Sequence, residues 1–380
     1  MGLSTRGQRD GPGNPAFPIA PTAAPPHRRS HFGEDALSML PQDISFLQAL
    51  NISAQTIGQL FLIGLAGFLM VKRGAVSNEG IQGILRLMID IIVPCALASS
   101  MMKGFNLQVL DEVSPLILLP TLWIPLSVIG CLLWFRYHGG GRPGADNAAT
   151  AMAAIQNSFY VPFPIAYALT PPQHHTYVAM LVGISVLPVS LLQWTMGVWL
   201  VQGDRSKIQV GWRQSLMYAL NPPVVGIVGG ALLSLVPGVS AAANHEPGSY
   251  APVRMLIGAM DMIGKAMGPL AMLMVGAVIA QGQFRANFSF RLLLPILLFR
   301  YVFVPGIVYA LLRAGLIPAT GLVAFVLLLQ AASPPAMNLT LAARRFGGEW
   351  EVLSSLMVVA NLLALVALPP WLAAGLTLER

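Results

Sequence analysis

Charge is scarce in this chain. Of its 380 residues only 10% are Asp, Glu, Lys or Arg, whereas 55% are hydrophobic. A soluble domain usually carries about 25% charged residues. A chain this poor in charge cannot cover a soluble surface of its own size, so its surplus apolar surface faces lipid. Cysteine is equally sparse. Cys95 and Cys131 each lie inside an apolar run, which suggests neither a disulfide framework nor a cysteine metal site. His27, His31, His138, His174, His175 and His245 fall in the N-terminal stretch or in polar connections, without a helical partner at metal-binding spacing. A His-Glu-x-x-His motif is absent, and no Gly-x-Gly-Asp surrounds Asp90 or Asp261. An intramembrane aspartyl enzyme built on those two carboxylates therefore lacks its setting, and no metal or cofactor is expected.

The net charge of +7 raises the question of nucleic acid, but the basic residues stand singly or in pairs between apolar runs. Membrane topology explains them better, and no nucleic-acid partner is expected. Residues 1–45 differ from the rest. The stretch 11–26 is rich in proline, glycine and alanine, with Arg28 and Arg29 after it. It reads as a disordered tail without the continuous apolar core of a signal peptide, and Met39 is an alternative start.

Beyond it the apolar runs parse into ten spans: 52–71, 81–102, 113–135, 148–169, 176–201, 215–236, 253–280, 291–312, 318–343 and 351–376. Each is close to the roughly 20 residues that cross a bilayer. The domains expected are the tail 1–45, a first five-helix set 46–201, a short cytoplasmic connection 202–214 and a second five-helix set 215–380. After odd-numbered spans come Lys72, Arg73, Arg136, Arg142, Arg205, Lys207, Arg213, Arg285, Arg291, Arg344 and Arg345, eleven cations; after even-numbered spans come only Lys103, Arg254, Arg313 and Arg380. The positive-inside rule then puts odd-numbered connections in the cytoplasm and both termini outside it. The arginines of the tail run against this, but lie 20 or more residues from the first span, where the rule weakens.

Two sets of five helices have opposite orientations, which is the arithmetic of an inverted repeat. The prolines echo it. Pro94 to Pro162 is 68 residues and Pro269 to Pro334 is 65. Arg86 and Asp90 precede Pro94 by eight and four residues, and Asp261 and Lys265 precede Pro269 by the same intervals.

Span 4 reads Gln156-Asn157-Ser158-Phe159-Tyr160-Val161-Pro162-Phe163-Pro164, and span 9 reads Gln330-Ala331-Ala332-Ser333-Pro334-Pro335-Ala336-Met337-Asn338. Proline removes a backbone donor and clashes with the preceding turn. Two close together, embedded in amides and hydroxyls, predict a broken helix at mid-membrane. Each second half-helix then starts there with proline at a favoured first position. Its positive dipole end points inward and favours an anion. The candidate substrate-binding residues are Asn157, Ser158, Pro162, Pro164, Gln330, Ser333, Pro334, Pro335 and Asn338, with Asn157 and Asn338 orienting a carboxylate. Asp90, Asp261 and Lys265 are candidates for ion coupling, since ionisable groups are costly in lipid. The competing reading pairs Arg86 with Asp90 and Asp261 with Lys265 at helical spacing. Arg300 is a further intramembrane charge.

The chain resembles the auxin efflux carrier family over about residues 52–376. The resemblance is carried by Asn221-Pro222-Pro223 with Gly226, Gly229 and Gly230, by Pro269-Leu270-Ala271-Met272-Leu273-Met274-Val275-Gly276, and by the last two spans from Ser333-Pro334-Pro335 through Glu349 to Pro369. Asn157 matches the family's crossover asparagine, whereas Phe159 and Tyr160 stand where small residues usually occur. The resemblance implies an all-α polytopic membrane protein of ten helices in two inverted five-helix repeats, with crossed, broken helices 4 and 9. It implies a scaffold of spans 1, 2, 6 and 7 that forms a homodimer, and a transport unit of spans 3 to 5 and 8 to 10. It implies a secondary transporter of small organic anions with elevator-like alternating access. A proton or sodium gradient is the expected driving force, and the short connection with the Ala, Gly and Pro bias suggests a bacterial protein, expected in the inner (plasma) membrane. If spans 2 and 7 are scaffold, Asp90 and Lys265 need not touch substrate. Alternatives are a sodium-coupled symporter of bile-acid type, told apart by sodium-stimulated uptake, and a non-transporting ligand sensor, told apart by binding without flux.

Overall fold

The computed structural model describes residues 45–202, 211–246, 249–282, 289–319 and 321–378. The expected tail and most of the 202–214 connection lie outside the described residues. Every regular element among the described residues is helical. In chain order they are α1 (Phe46–Lys72), α2 (Asn78–Gly104), α3 (Val109–Tyr137), α4 (Pro143–Ala154), α5 (Pro162–Leu169), α6 (Pro172–Val201) and α7 (Trp212–Ala219). Then come α8 (Pro222–Ser234), α9 (Pro237–Ala243), α10 (Ala251–Gln281), α11 (Phe290–Arg313), α12 (Gly321–Ala332), α13 (Asn338–Arg345) and α14 (Trp350–Leu376). Seven of them, α1, α2, α3, α6, α10, α11 and α14, are long and apolar enough to cross a membrane.

The interruptions follow local chemistry. Pro115, Pro120 and Pro125 sit inside α3 without breaking it. Spaced five apart, each removes one donor from a different turn. Span 4 carries Pro162 and Pro164 at the first and third positions of α5, and span 9 carries Pro334 and Pro335 between α12 and α13, each pair following Asn or Ser side chains that compete for backbone groups. In both spans the helix stops before the prolines, at Ala154 and at Ala332. The sixth expected span, 215–236, is corrected by the structure: α7 and α8 meet at a bend of 69°. Asn221 is the N-cap of α8, its Oδ1 accepting from Val224 N–H at 3.2 Å, with Pro222 at the first helical position. That combination starts a new helix rather than continuing one.

Packing is closest where glycine replaces side chains, as is usual between membrane helices. On the α1–α10 seam a Cβ added to Gly276 would collide with the Gly64 carbonyl, and one added to Gly67 with the Leu273 carbonyl. On the α2–α8 seam a Cβ on Gly226 would lie 2.8 Å from Pro94 and one on Gly230 2.6 Å from the Ala98 carbonyl. The short interrupted helices lie innermost. Every residue of α12 is buried, which fits a sequence that is apolar but for Gln330.

Candidate functional site

The two interruptions meet. Gln156 and Pro335 form an antiparallel bridge. Asn157 N–H donates to the Pro334 carbonyl at 2.7 Å, and Ala336 N–H donates to the Ile155 carbonyl at 3.0 Å. Backbone groups freed by the prolines are thus satisfied across the crossing, as an apolar interior demands. The Asn157 side chain shapes the turn into α5. Its Oδ1 accepts from Tyr160 N–H at 2.9 Å and Phe159 N–H at 3.3 Å. The Asn157 carbonyl thus closes the loop that leads into α5, ahead of the first helical residue, Pro162. Gln330 Nε2 donates to the Ser158 carbonyl at 2.9 Å and to Ser185 Oγ at 2.6 Å, tying α12 to the opposite interruption and to α6. Trp123 Nε1 donates to Gln156 Oε1 at 3.3 Å.

At the crossing three buried amide atoms, Asn157 Nδ2, Gln156 Nε2 and Gln330 Oε1, have no partner among the described residues. A buried, unpaired polar atom costs about 1–3 kcal/mol, so three around one crossing mark a place built for something else. Beside them lies a cavity of about 190 Å³ lined by Asn157, Ser158, Tyr160, Ser190, Gln193, Trp194, Asn221 and Asn338 together with apolar residues of α2, α6 and α13. Among the described residues no charged side chain lines it. It is smaller than the ~300 Å³ from which drug-sized pockets begin, so it suits a small solute. Asn338 is partly exposed there and makes no side-chain hydrogen bond among the described residues.

A second, larger crevice of about 360 Å³ runs between α1, α10 and α14 and reaches Pro334. Its lining is apolar apart from Asn361 and Lys72, whose Nζ lies 5.6 Å from the Phe68 ring centroid.

Of the residues singled out in the sequence, Asn157, Ser158 and Asn338 line the smaller cavity and Pro334 the larger. Pro162, Pro164, Gln330, Ser333 and Pro335 line neither. Ser333 Oγ is spent on the Leu329 carbonyl. The ionisable candidates stand apart from the crossing. Asp90 and Lys265 are exposed on α2 and α10, and neither forms an ion pair among the described residues; the expected Arg86–Asp90 and Asp261–Lys265 pairs are not made. Asp261 instead pairs with Lys103 at 2.9 Å and accepts from Ser99 Oγ at 3.4 Å. Asp90 lies nine residues before Ser99 on α2, roughly 13 Å along the axis, so no aspartyl pair forms.

Spacing alone did not single out Tyr160, Ser190, Gln193 or Trp194. Gln193 opens a π-helical segment, Gln193–Gly197, in α6, and such bulges recur at functional sites. A polar interruption in an otherwise apolar span was the available signal. Arg300, also on a π-helical segment, Phe299–Phe303, is fully buried. Its three donors reach the Ala331 carbonyl at 2.6 Å, the Ala154 carbonyl at 3.0 Å and the Ser333 carbonyl at 3.2 Å.

Long apolar spans around two interrupted helices that meet beside an uncharged cavity define a multi-pass membrane protein of the transport class. The family model described as "Membrane transport protein" matches residues 52–372, and the chain belongs to that family, the auxin efflux carriers. It is similar to PIN-LIKES 7 of Arabidopsis thaliana, 28% identical over 163 residues that make up 42% of this chain and 40% of the relative. It is also similar to PIN-LIKES 3 of the same plant, 31% identical over 146 residues, 37% of each chain. The matched region thus spans about two fifths of the length of these relatives.

Proposed function

We propose that this protein is a secondary carrier of small organic anions, with the cavity at the crossing as its substrate site. One observation carries the reading. Where the two interruptions meet, the cavity presents two uncommitted carboxamide groups, Asn157 Nδ2 and the Asn338 side chain, and no acidic side chain. Amide donors beside the starts of α5 and α13 suit a carboxylate, because each helix start carries roughly half a positive charge. The solute is held by dipoles rather than by a fixed cation in the cavity wall, which leaves it free to depart.

The architecture proposed is ten spans in two inverted repeats, 46–201 and 215–380, with α4 plus α5 and α12 plus α13 each counted as one span. The glycine seams support it. One seam joins the first span of the first repeat to the second span of the other (α1 to α10), and the second seam joins the corresponding pair (α8 to α2). Both seams fall within the four spans assigned to the scaffold, which suits a platform against which the crossing unit slides, elevator-like. Exposed, unpaired Arg86, Asp90 and Lys265 on α2 and α10 are costly against lipid, which favours a homodimer that covers them. We place the protein in the inner (plasma) membrane with both termini outside the cytoplasm, from the distribution of lysine and arginine.

A second reading has its own observation. The 360 Å³ crevice, apolar except at Lys72 and Asn361, matches a bulkier amphipathic anion with its charge at the lysine. A thermal-shift screen of organic acids on the purified protein separates the two. The first reading predicts stabilisation by small carboxylates that is lost in Asn338→Ala. Stabilisation only by long amphipathic acids, lost in Lys72→Ala, would favour the second, and no response to any acid would reject both.

A further inference from the structure

We infer that Arg300 is a built-in replacement for a bound inorganic cation at the crossing, so that the two half-helix ends that meet there need no sodium ion. The argument begins with the ends of the first half-helices. α4 stops at Ala154 and α12 at Ala332, both buried. Each C-terminus leaves carbonyls without an intrahelical donor and carries roughly half a negative charge. Two such ends meeting in an apolar interior amount to about one negative charge. In water they would be solvated; here a cation must answer them.

Arg300 does so. It is 0% exposed, and its guanidinium donates to Ala154 at the end of α4 and to Ala331 and Ser333 at the end of α12. No carboxylate pairs with it among the described residues; Asp146 and Asp261 are taken by Arg291 and Lys103. One positive charge therefore balances the two helix ends. Arg300 lies outside the lining of the substrate cavity, so it acts through the two half-helices and is a positioning residue. A further metal ion beside it would leave a buried cation with no anion to match, which is strongly unfavourable. The three carbonyls that it fills are also the oxygen donors that a sodium or potassium ion would use.

This goes beyond the proposed function by assigning the cation that holds the crossing. It rests on that reading only in calling the crossing a transport site, and its test uses no organic acid. Thermal stability of the purified protein is measured in sodium chloride and in choline chloride at equal ionic strength. Wild type is expected to melt at the same temperature in both. Arg300→Ala opens the three carbonyls to solvent ions, and its melting temperature is expected to rise by at least about 2 °C in sodium, lithium or potassium relative to choline. If Arg300→Ala is lost in every salt, Arg300→Lys carries the test. An ammonium on the same carbonyls is expected to restore a fold that sodium does not stabilise further. Sodium-dependent stabilisation of wild type, a folded Arg300→Ala indifferent to all three metal ions, or failure of lysine to rescue a lost alanine variant would each overturn the assignment.

Discussion

Asn157 N–H donates to the Pro334 carbonyl at 2.7 Å, so main chain joins the two interrupted spans directly, alongside the side-chain ties of Gln330 and Arg300. The consequence is practical. Side chains that do not bridge the two spans, Asn338 among them, can be altered without dissolving the crossing, and loss of ligand response can be separated from loss of fold.

Asn157→Ala and Asn338→Ala should differ in stability while agreeing in function. The first removes the acceptor of two backbone N–H groups, those of Phe159 and Tyr160, and should cost about 1–2 kcal/mol. The second removes no hydrogen bond to the described residues and should stay within about 0.5 kcal/mol of wild type. Both should lose stabilisation by the acids that bind wild type. Denaturation in detergent, with and without those acids, checks the two expectations together.

The α1–α10 seam should tolerate no added atom. Gly276→Ala pushes a methyl into the Gly64 carbonyl, an overpacking that costs about 1–3 kcal/mol. Gly229, on the same α8 as Gly226 and Gly230, has nothing within 4 Å of an added Cβ. Gly229→Ala should therefore be neutral or slightly stabilising, since alanine is the better helix former. Melting temperatures of the two variants, measured side by side, test the seam.

Lys103 and Asp261 should couple, and Lys265 should not. The pair is 2.9 Å apart and partly exposed, so a double-mutant cycle with Lys103→Met and Asp261→Asn should give about 0.2–1 kcal/mol. The same cycle with Lys265→Met in place of Lys103→Met should give no coupling. Coupling to Lys265 would mean that the four-residue spacing on α10, not the contact with α2, governs the carboxylate.

Arg300 should separate from the surface charges. Arg300→Met leaves the carbonyls of Ala154, Ala331 and Ser333 without their donor and should cost about 3–5 kcal/mol. Arg86→Met, on an exposed side chain without an ion pair, should change stability by less than about 0.5 kcal/mol. Unfolding midpoints decide the order.

Much of this site was written locally. Proline pairs beside Gln, Asn and Ser announce the interruptions in spans 4 and 9, because the cause and the break lie close in chain, eight residues from Ala154 to Pro162 and two from Ala332 to Pro334. The bend at Asn221 carries an equally local signal, an N-cap asparagine followed by two prolines, but the flanking apolar run is long enough to cross a membrane and so reads as one span. What could not be read was long-range. Asp261 has a cation four residues away in sequence, yet it is bound by Lys103, 158 positions earlier. Arg300 gains its meaning from carbonyls on two helices, one of them 146 residues distant. Helical spacing reports which side chains can meet on one helix, not which helices meet.

The central claim is that a small anion sits where the interrupted spans meet. The most direct measurement is the rate at which a small thiol reagent labels Asn338→Cys, with Cys95 and Cys131 replaced by alanine, in the presence and absence of an acid that stabilises wild type. The account predicts labelling in the empty protein, slowed at least about tenfold by the acid at 100 times its dissociation constant, while Gly229→Cys is unaffected. Labelling of Asn338→Cys at the same rate with saturating acid would contradict it.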